Sequence, residues 1–339
     1  MRPSVVVVVP TIREIHIKRF LDAWIPIWSS QLEYDFQIVI VEDHESQEFD
    51  LRLHDAEIHH YSWKDIKFDL GSLEWIIPRR SDTVRSYGYY KAYQLRPDFI
   101  VTLDDDCLPY YGQDVVLGHI RNLTSVHNEP AWYNTLEGKK PRGLPYFSRE
   151  RQNRTRPVLS HGLWDNSLDF DAPTRLVEGN DCACSIQHIA NNVIVPKGFY
   201  YPMSGMNLGW RTEITPIMYF LLQGSIVLDC GQLMDLPFDR MGDIWCGIIA
   251  KKILDYLGQS VYTGRPYIHH NCASNVFVNL QREAKGLEVN ECLWKQIDEI
   301  NLTQSDYIGC YREIAHSIGF NDQYWNKLRE AMVCWSELF

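Results

Sequence analysis

The chain has 339 residues, 45% of them apolar and 13% aromatic, and a formal net charge of -11. Such a composition suits one large core or two modest ones, and excludes a disordered, fibrous or membrane-spanning chain. The acidic balance also argues against a broad nucleic-acid surface, which needs a clustered basic face. Any phosphate bound here is expected to be met locally, by a few arginines and a metal.

In chain order, SVVVVVP reads as a buried strand, too short for a spanning helix or for the apolar segment of a signal peptide. IKRFLDAWIPIW reads as an amphipathic helix, DFQIVIVED as a second buried strand, and SDTVRSYGYYKAYQL as a helix before a third strand, FIVTL. Continuous Val/Ile runs joined by helices predict an α/β fold with a mostly parallel sheet flanked by helices. VVLGHIRNL suggests a further helix. Residues 129–215, rich in Pro, Gly, Asn and aromatic side chains, carry weak secondary-structure signals and are expected to form functional loops. PFDRMGDIWCGIIAKKILDYLG then predicts a helix and SVYTGRPYIHH a strand. The tail after Asn275 reads as helical, with Tyr324, Leu328, Ala331, Met332 and Trp335 on one face and Asn321 as an N-cap. One catalytic domain over 1–275 and a helical extension over 276–339 packed on it is the simplest division. The amphipathic tail could also cover a face of a second copy, making a homo-oligomer. The nine scattered cysteines contain no CxxC pair and read as reduced thiols in a cytoplasmic protein.

Ligands of parallel sheets sit beyond the carboxyl ends of the strands. Three predicted strand ends carry polar residues: Thr11 and Arg13, then Glu42 and Asp43, then Asp104, Asp105 and Asp106. An Asp-x-Asp pair at a strand end can present two carboxylates to one hard cation while leaving room for diphosphate oxygens. His269 and His270 end another predicted strand and point to opposite sides, so one of them can complete an Asp/Asp/His sphere suited to Mn2+. No G-x-G-x-x-G, P-loop or G-x-S-x-G motif is present, so neither a flavin nor NAD held in the usual way is expected. Period-two spacing places Asp104 and Asp106 on one face, with Asp106 the expected direct ligand.

The stretches VPTIR, FIVTLDDDC, RGLPYFSRE, LSHGLWDNSLDFDAPTRLV, YPMSGMNLGW, DIWCGIIAKKILDYLG, TGRPYIHHNCASNVFVNL and KLREAMVCW follow one another from end to end. In this the chain resembles the reversibly glycosylated polypeptides, the UDP-arabinopyranose mutase family, which have the Rossmann-like glycosyltransferase A fold. The resemblance implies a metal-dependent, flavin-independent interconversion of pyranose and furanose forms of a nucleotide sugar. It places Mn2+ or Mg2+ on Asp104 and Asp106 with His270 as a further ligand, Asp104 meeting ribose or metal, Asp105 on the sugar side, the family's glycosylated arginine on Arg149, and Arg13 and Arg85 near the diphosphate. Asp43 falls where these folds meet the base. His161, Trp164 and Asn207, from the matching motifs, are expected to touch substrate, with the loop from Arg142 to Trp164 excluding water. Asp165, Asp169 and Asp171 are candidates for proton transfer. Arg149 could form a sugar adduct or only stabilise an oxocarbenium–diphosphate ion pair.

Where plant members have a pair of acids before a tryptophan, this chain has Gly242 and Asp243, leaving Asp243 to serve alone. Cys272 stands where they have lysine, and VEDHE replaces a glycine-containing turn. Asp43 could accept from uracil or from guanine, so a UDP-sugar and a GDP-sugar both remain open. A glycosyltransferase or autoglycosylating protein using the same site, and a catalytically silent partner subunit, are the alternative readings. No nucleic acid or integral membrane contact is expected.

Overall fold

The computed structural model describes residues 2–51, 55–130, 152–179, 190–228, 230–271 and 274–339. Strand β1 (Ser4–Thr11) shows how one run of valines builds two cores. Alternation sends Val5, Val7 and Val9 to one face and Val6 and Val8 to the other. Helix α1 (Glu14–Ser29) covers the first face, with Phe20, Trp24 and Trp28 buried at helical spacing and the two indoles stacked 5.3 Å apart. β2 (Asp35–Glu42) pairs parallel with β1 and β3 (Ile58–Tyr61) parallel with β2. Helix α2 (Trp63–Leu70) starts where the Asp65 carboxylate accepts the Ser62 N–H at 2.7 Å. Helix α3 (Arg85–Gln94) packs Tyr87 and Tyr89 on the second face, and β4 (Phe99–Leu103) pairs parallel with β1 on the side opposite β2.

The chain therefore changes its direction of advance at β1, which opens a crevice between the ends of β1 and β4. Beyond β4 the sheet is mixed. β5 (Cys107–Pro109) leads to helix α4 (Val115–Thr124) and to a short ribbon of β6 (His127–Pro130) and β7 (Gln152–Thr155). β8 (Leu159–Asn166), helix α5 (Ala172–Glu178), β9 (Val193–Ile194) and β10 (Asn207–Arg211) follow. β11 (Ser225–Val227) and β12 (Leu233–Asp235) form a second ribbon before helix α6 (Gly242–Tyr256) and β13 (Val261–His270). The main sheet runs β3-β2-β1-β4-β10-β8-β13-β5, with β9 on β13. β10 is antiparallel to both neighbours, whereas β8 and β13 run parallel. This Rossmann-like half, continued by a mixed half with flanking helices, is the architecture the resemblance implies.

β8 and β10 lie in the sheet's middle although 129–215 reads as irregular. LSHGLWDN and NLGWR lack an apolar run because their positions pack on a buried polar network. A Cβ at Gly209 would lie 2.7 Å from the His119 ring, and one at Gly162 2.2 Å from Asn207 Nδ2, so glycine is required at both.

Helices α7 (Val276–Glu299), α8 (Tyr307–Ser317) and α9 (Gln323–Ser336) close the large core. The Trp335 indole stacks on Tyr219 at 5.1 Å and donates to the Pro216 carbonyl at 3.0 Å. The N-cap of α9 is Asp322, not the expected Asn321: its carboxylate accepts the Trp325 N–H at 3.0 Å, and α9 starts one residue later than Asn321 would require. The expected apolar face of α9, from Tyr324 to Trp335, is buried within the chain's own core, so it does not offer a surface for a second copy. Among the described residues no helix is long and apolar enough to cross a membrane.

Candidate functional site

A cleft of about 780 Å³ opens at the carboxyl ends of β1, β2 and β4. Thr11, Arg13, Asp43, Arg85, the three aspartates 104–106 and His270 all line it, so most of the site residues expected from sequence meet there.

The strand-end turn holds each aspartate differently. Asp105 is buried; one oxygen accepts the Thr11 hydroxyl at 2.7 Å and the other a terminal nitrogen of Arg13. It was expected on the sugar side, but the end of β1 engages both oxygens. Asp104 accepts from Arg85, whose guanidinium is buried and also donates to the Gly205 carbonyl, to Thr102 Oγ1 and to the Asp82 carbonyl. Burial opposes the charge of Arg85, yet Asp104 overrides it and holds the pKa above the ordinary value. Thus Arg13 and Arg85 reach the cleft but are directed at its carboxylates.

Asp106 meets His270. β5 pairs antiparallel with the end of β13, setting His270 opposite Cys107, and the Trp24 indole pins the Cys107 carbonyl at 2.9 Å. His270 is buried, and its Nδ1 donates to the Ser167 carbonyl at 2.9 Å. That bond orients the ring and turns Nε2 toward Asp106, 4.0 Å from its Oδ1. Burial and the neighbouring Asp104 push the Asp106 carboxyl up to about 6 despite His270. A largely enclosed carboxylate crowded by Asp104 and facing an oriented imidazole nitrogen fits a divalent cation. The chemistry of this donor set, oxygen and imidazole without thiolate, suits Mn2+ or Mg2+.

At the other end Asp43 Oδ1 accepts the Trp63 indole N–H at 2.7 Å, and the Arg80 backbone N–H also reaches this carboxyl. Burial raises its pKa against both bonds.

Six expected residues among those described do not line the cleft. His161 and Asn207 are buried between strands. The Asn207 amide donates to the Leu163 and Pro266 carbonyls, and its oxygen accepts from His119 at 2.9 Å. His161 Nε2 accepts the Ser204 N–H at 3.2 Å, and burial lowers its pKa to about 3. Trp164 packs its ring against His161 at 5.6 Å. Asp165 sits opposite His269 in the β8–β13 register. Asp243 lies half-buried behind the cleft, accepting the Gly205 and Ile244 N–H groups at 2.8 and 2.9 Å. Burial, then Asp82 and Asp169, push it up to about 7. Beside it no acid fits at 242, where a Cβ would lie 2.3 Å from the Phe220 carbonyl. Asp171 caps α5 through the Thr174 N–H at 2.8 Å, whereas Asp169 does line the cleft. Arg149, residues 142–151 of the Arg142–Trp164 loop and Cys272 lie outside the described residues.

The structure adds residues that sequence reasoning did not assign to the site. His16, on the first turn of α1, lies with Asp105 and Asp106 in a group whose ligand atoms are within 4.8 Å of one another. Trp63, Arg80, Asp82, Arg175, Arg240 and Arg282 also line the cleft. Arg240 stands two residues before MGDIW's Gly242, inside the helix expected from sequence; the true start of α6 at Gly242 frees it to face the cleft.

The family model for reversibly glycosylated polypeptides matches residues 2–339. A probable UDP-arabinopyranose mutase 4 of Arabidopsis thaliana is 34% identical over 352 residues, covering 98% of this chain and 89% of that one. UDP-arabinopyranose mutase 1 of Oryza sativa subsp. japonica is 33% identical over 356 residues, with 98% and 89% covered. Among solved structures, glucosyl-3-phosphoglycerate synthase from Mycobacterium tuberculosis, in complex with Mn2+, UDP-glucose and phosphoglyceric acid, has a TM-score of 0.43 at 11% identity, covering 95% of this chain and 82% of that one. That likeness is too distant to bear on the site. The end-to-end family match and the relatives at a third identity agree with the strand-end aspartates: the chain belongs to the reversibly glycosylated polypeptide family.

Proposed function

We propose that the protein is a nucleotide-sugar mutase that interconverts pyranose and furanose forms of a UDP-linked pentose without a flavin. The observation that carries the reading is the convergence of Asp104, Asp106 and His270 in one cleft of a chain a third identical to UDP-arabinopyranose mutases. Asp106 and His270, with Asp104, would hold Mn2+ or Mg2+. When bound, such an ion supplies Lewis-acid stabilisation of a departing diphosphate.

The chain's own residues do the rest. Asp43 binds the base: with Trp63 and the Arg80 N–H already on its carboxyl, it keeps acceptor capacity for the ring N–H of uracil. Thr11 and Arg13 hold Asp105, which keeps the strand-end turn in place beside the sugar. Ring opening and reclosure need a proton moved between sugar hydroxyls. Of the candidate acids, Asp169 lines the cleft and has a pKa raised chiefly by burial, which suits it to that exchange. Arg149 is assigned to the anomeric carbon, as covalent partner or as stabiliser of the ion pair, and the loop before Trp164 to water exclusion. The catalytic unit is proposed to span 1–275, with 276–339 sharing its core, and the cytoplasm is the proposed compartment. Incubation with Mn2+ and a panel of UDP- and GDP-sugars, with ring forms separated by chromatography, tests the reading. A furanose product from a UDP-pentose without any acceptor is expected. Product only when an acceptor is added would mean a glycosyltransferase, and nucleotide binding with no product a silent subunit.

A further inference from the structure

We propose that Arg80 and Arg240, rather than Arg13 and Arg85, form a two-arginine clamp for the diphosphate group of the substrate. The inference rests on the nucleotide-sugar reading of the cleft and goes beyond it by assigning the anion to residues that no family motif marked.

Arg85 is committed to protein acceptors, and Arg13 spends one terminal nitrogen on the cleft's own carboxylates. Arg85 directs all three guanidinium nitrogens at protein acceptors and has a side chain only 2% exposed. Arg13 pairs with Asp105 and lies 3.6 Å from Asp106. Arg80 is exposed in the cleft, and its guanidinium has no hydrogen-bond or ion-pair partner among the described residues. Arg240 uses Nε on Glu283 at 2.8 Å, which leaves its two terminal nitrogens for a ligand.

The backbone gives an independent sign. Six non-glycine residues among those described have a left-handed φ, and Arg80 (57°) and Arg240 (61°) are the two that line the cleft. A side chain there is disfavoured, and such strain is retained where the surrounding structure enforces it, typically at ligand sites. The enforcing contacts are visible. Arg79 exchanges both backbone hydrogen bonds with Ser225, at 2.6 and 3.0 Å, which fixes the chain just before Arg80. The Arg240 N–H is held by Asp239 at 2.9 Å and the Met241 N–H by Gln223 at 2.6 Å.

The two arginines also flank the right place. Arg80 adjoins the base end through its N–H on Asp43, while the charge of Arg240 acts on Asp82 and Asp169 at the far end. Asp104 and Asp106 lie in the same cleft. A diphosphate whose metal-facing oxygens meet the aspartates would present its others to two planar donor forks, and these would strengthen as charge develops on the leaving group.

The test uses Arg80→Gly and the pair Arg240→Gln with Glu283→Gln, the second change removing the buried carboxylate that Arg240 would otherwise abandon. UDP binding in Mn2+ is measured by calorimetry, uridine by ligand-observed NMR, and folding by thermal melting. Glycine suits the left-handed position, so Arg80→Gly should melt at or above the wild-type temperature. Both variants should bind UDP at least about tenfold more weakly, with uridine binding unchanged. UDP affinity within about twofold of wild type in either variant, or an equal loss for uridine, would overturn the clamp. A wild-type chain that binds neither UDP nor GDP would overturn the nucleotide-sugar reading itself, and the clamp with it.

Discussion

Arg85 donates to the Asp104 carboxylate from beneath the strand-end turn, and the same guanidinium holds the Gly205 carbonyl, 120 residues further along the chain. The arginine thus joins the start of α3 to the metal-type motif and to the loop before β10. Replacing it with methionine, which retains bulk but no donors, leaves a carboxylate and two carbonyls without their partner. The variant should lose about 3 kcal/mol of stability in urea unfolding. A loss under about 1 kcal/mol would mean the pair is incidental.

Mn2+ should raise the melting temperature of the wild-type protein, since a ligand that binds only the folded state stabilises it by mass action. Asp106→Asn and His270→Ala should each remove that rise. His270→Ala takes away an imidazole already oriented by Ser167, whereas Asp106→Asn removes a carboxyl that burial and Asp104 hold near 6. An undiminished Mn2+ shift in both variants would place the cation elsewhere, with the group of Glu42, His44 and Glu48 as the next assignment.

The legible and illegible parts of this chain divide along physical lines. The valine and isoleucine runs of β1, β2 and β4 are buried on both faces, so composition alone marks them, and the polar residues just after them fall at the cleft by the rule for parallel sheets. β8 and β10 were hidden because their glycines and His161 and Asn207 serve a buried polar network around His119. Motif membership therefore suggested substrate contacts where Asn207 satisfies backbone carbonyls and His161 a backbone N–H. The metal-facing role of His270 needed the β5–β13 register, and Arg80 and Arg240 needed φ values, neither of which a single sequence displays.

The His119 network makes a prediction about pH. His119 donates from Nε2 to Asn207, and Ser160 donates to its Nδ1 at 2.9 Å, so the buried ring is neutral and its pKa is lowered from 6.5 to about 4, mainly by burial. The unfolded chain takes up this proton near 6.5 and the folded chain does not. The stabilising contribution is therefore complete above 6.5 and is lost as pH falls toward 4. Asp106 and Asp243, with raised values, act in the opposite sense, so the comparison must be with a variant that lacks only this proton. Relative to His119→Gln, the wild type should lose roughly 2 kcal/mol between pH 7 and pH 5 in urea unfolding. A difference that does not change with pH would show that the ring takes up its proton in the fold as it does in the unfolded chain.

The C-terminal helices share the large core with the sheet. Trp335 is fully buried, stacked on Tyr219 and bonded to Pro216, so Trp335→Ala should cost about 3 to 5 kcal/mol, read from the denaturation midpoint. A cost below about 1 kcal/mol would indicate that residues 276–339 form an appendage rather than part of the catalytic unit's core.

The central claim is ring interconversion within the nucleotide sugar. Purified protein with Mn2+ should convert UDP-arabinopyranose to UDP-arabinofuranose, and the reverse, to one common ratio with no acceptor present. Arg149→Ala should abolish conversion in both directions while UDP still binds. Free arabinose and UDP as the only products, or full conversion by Arg149→Ala, would contradict the account.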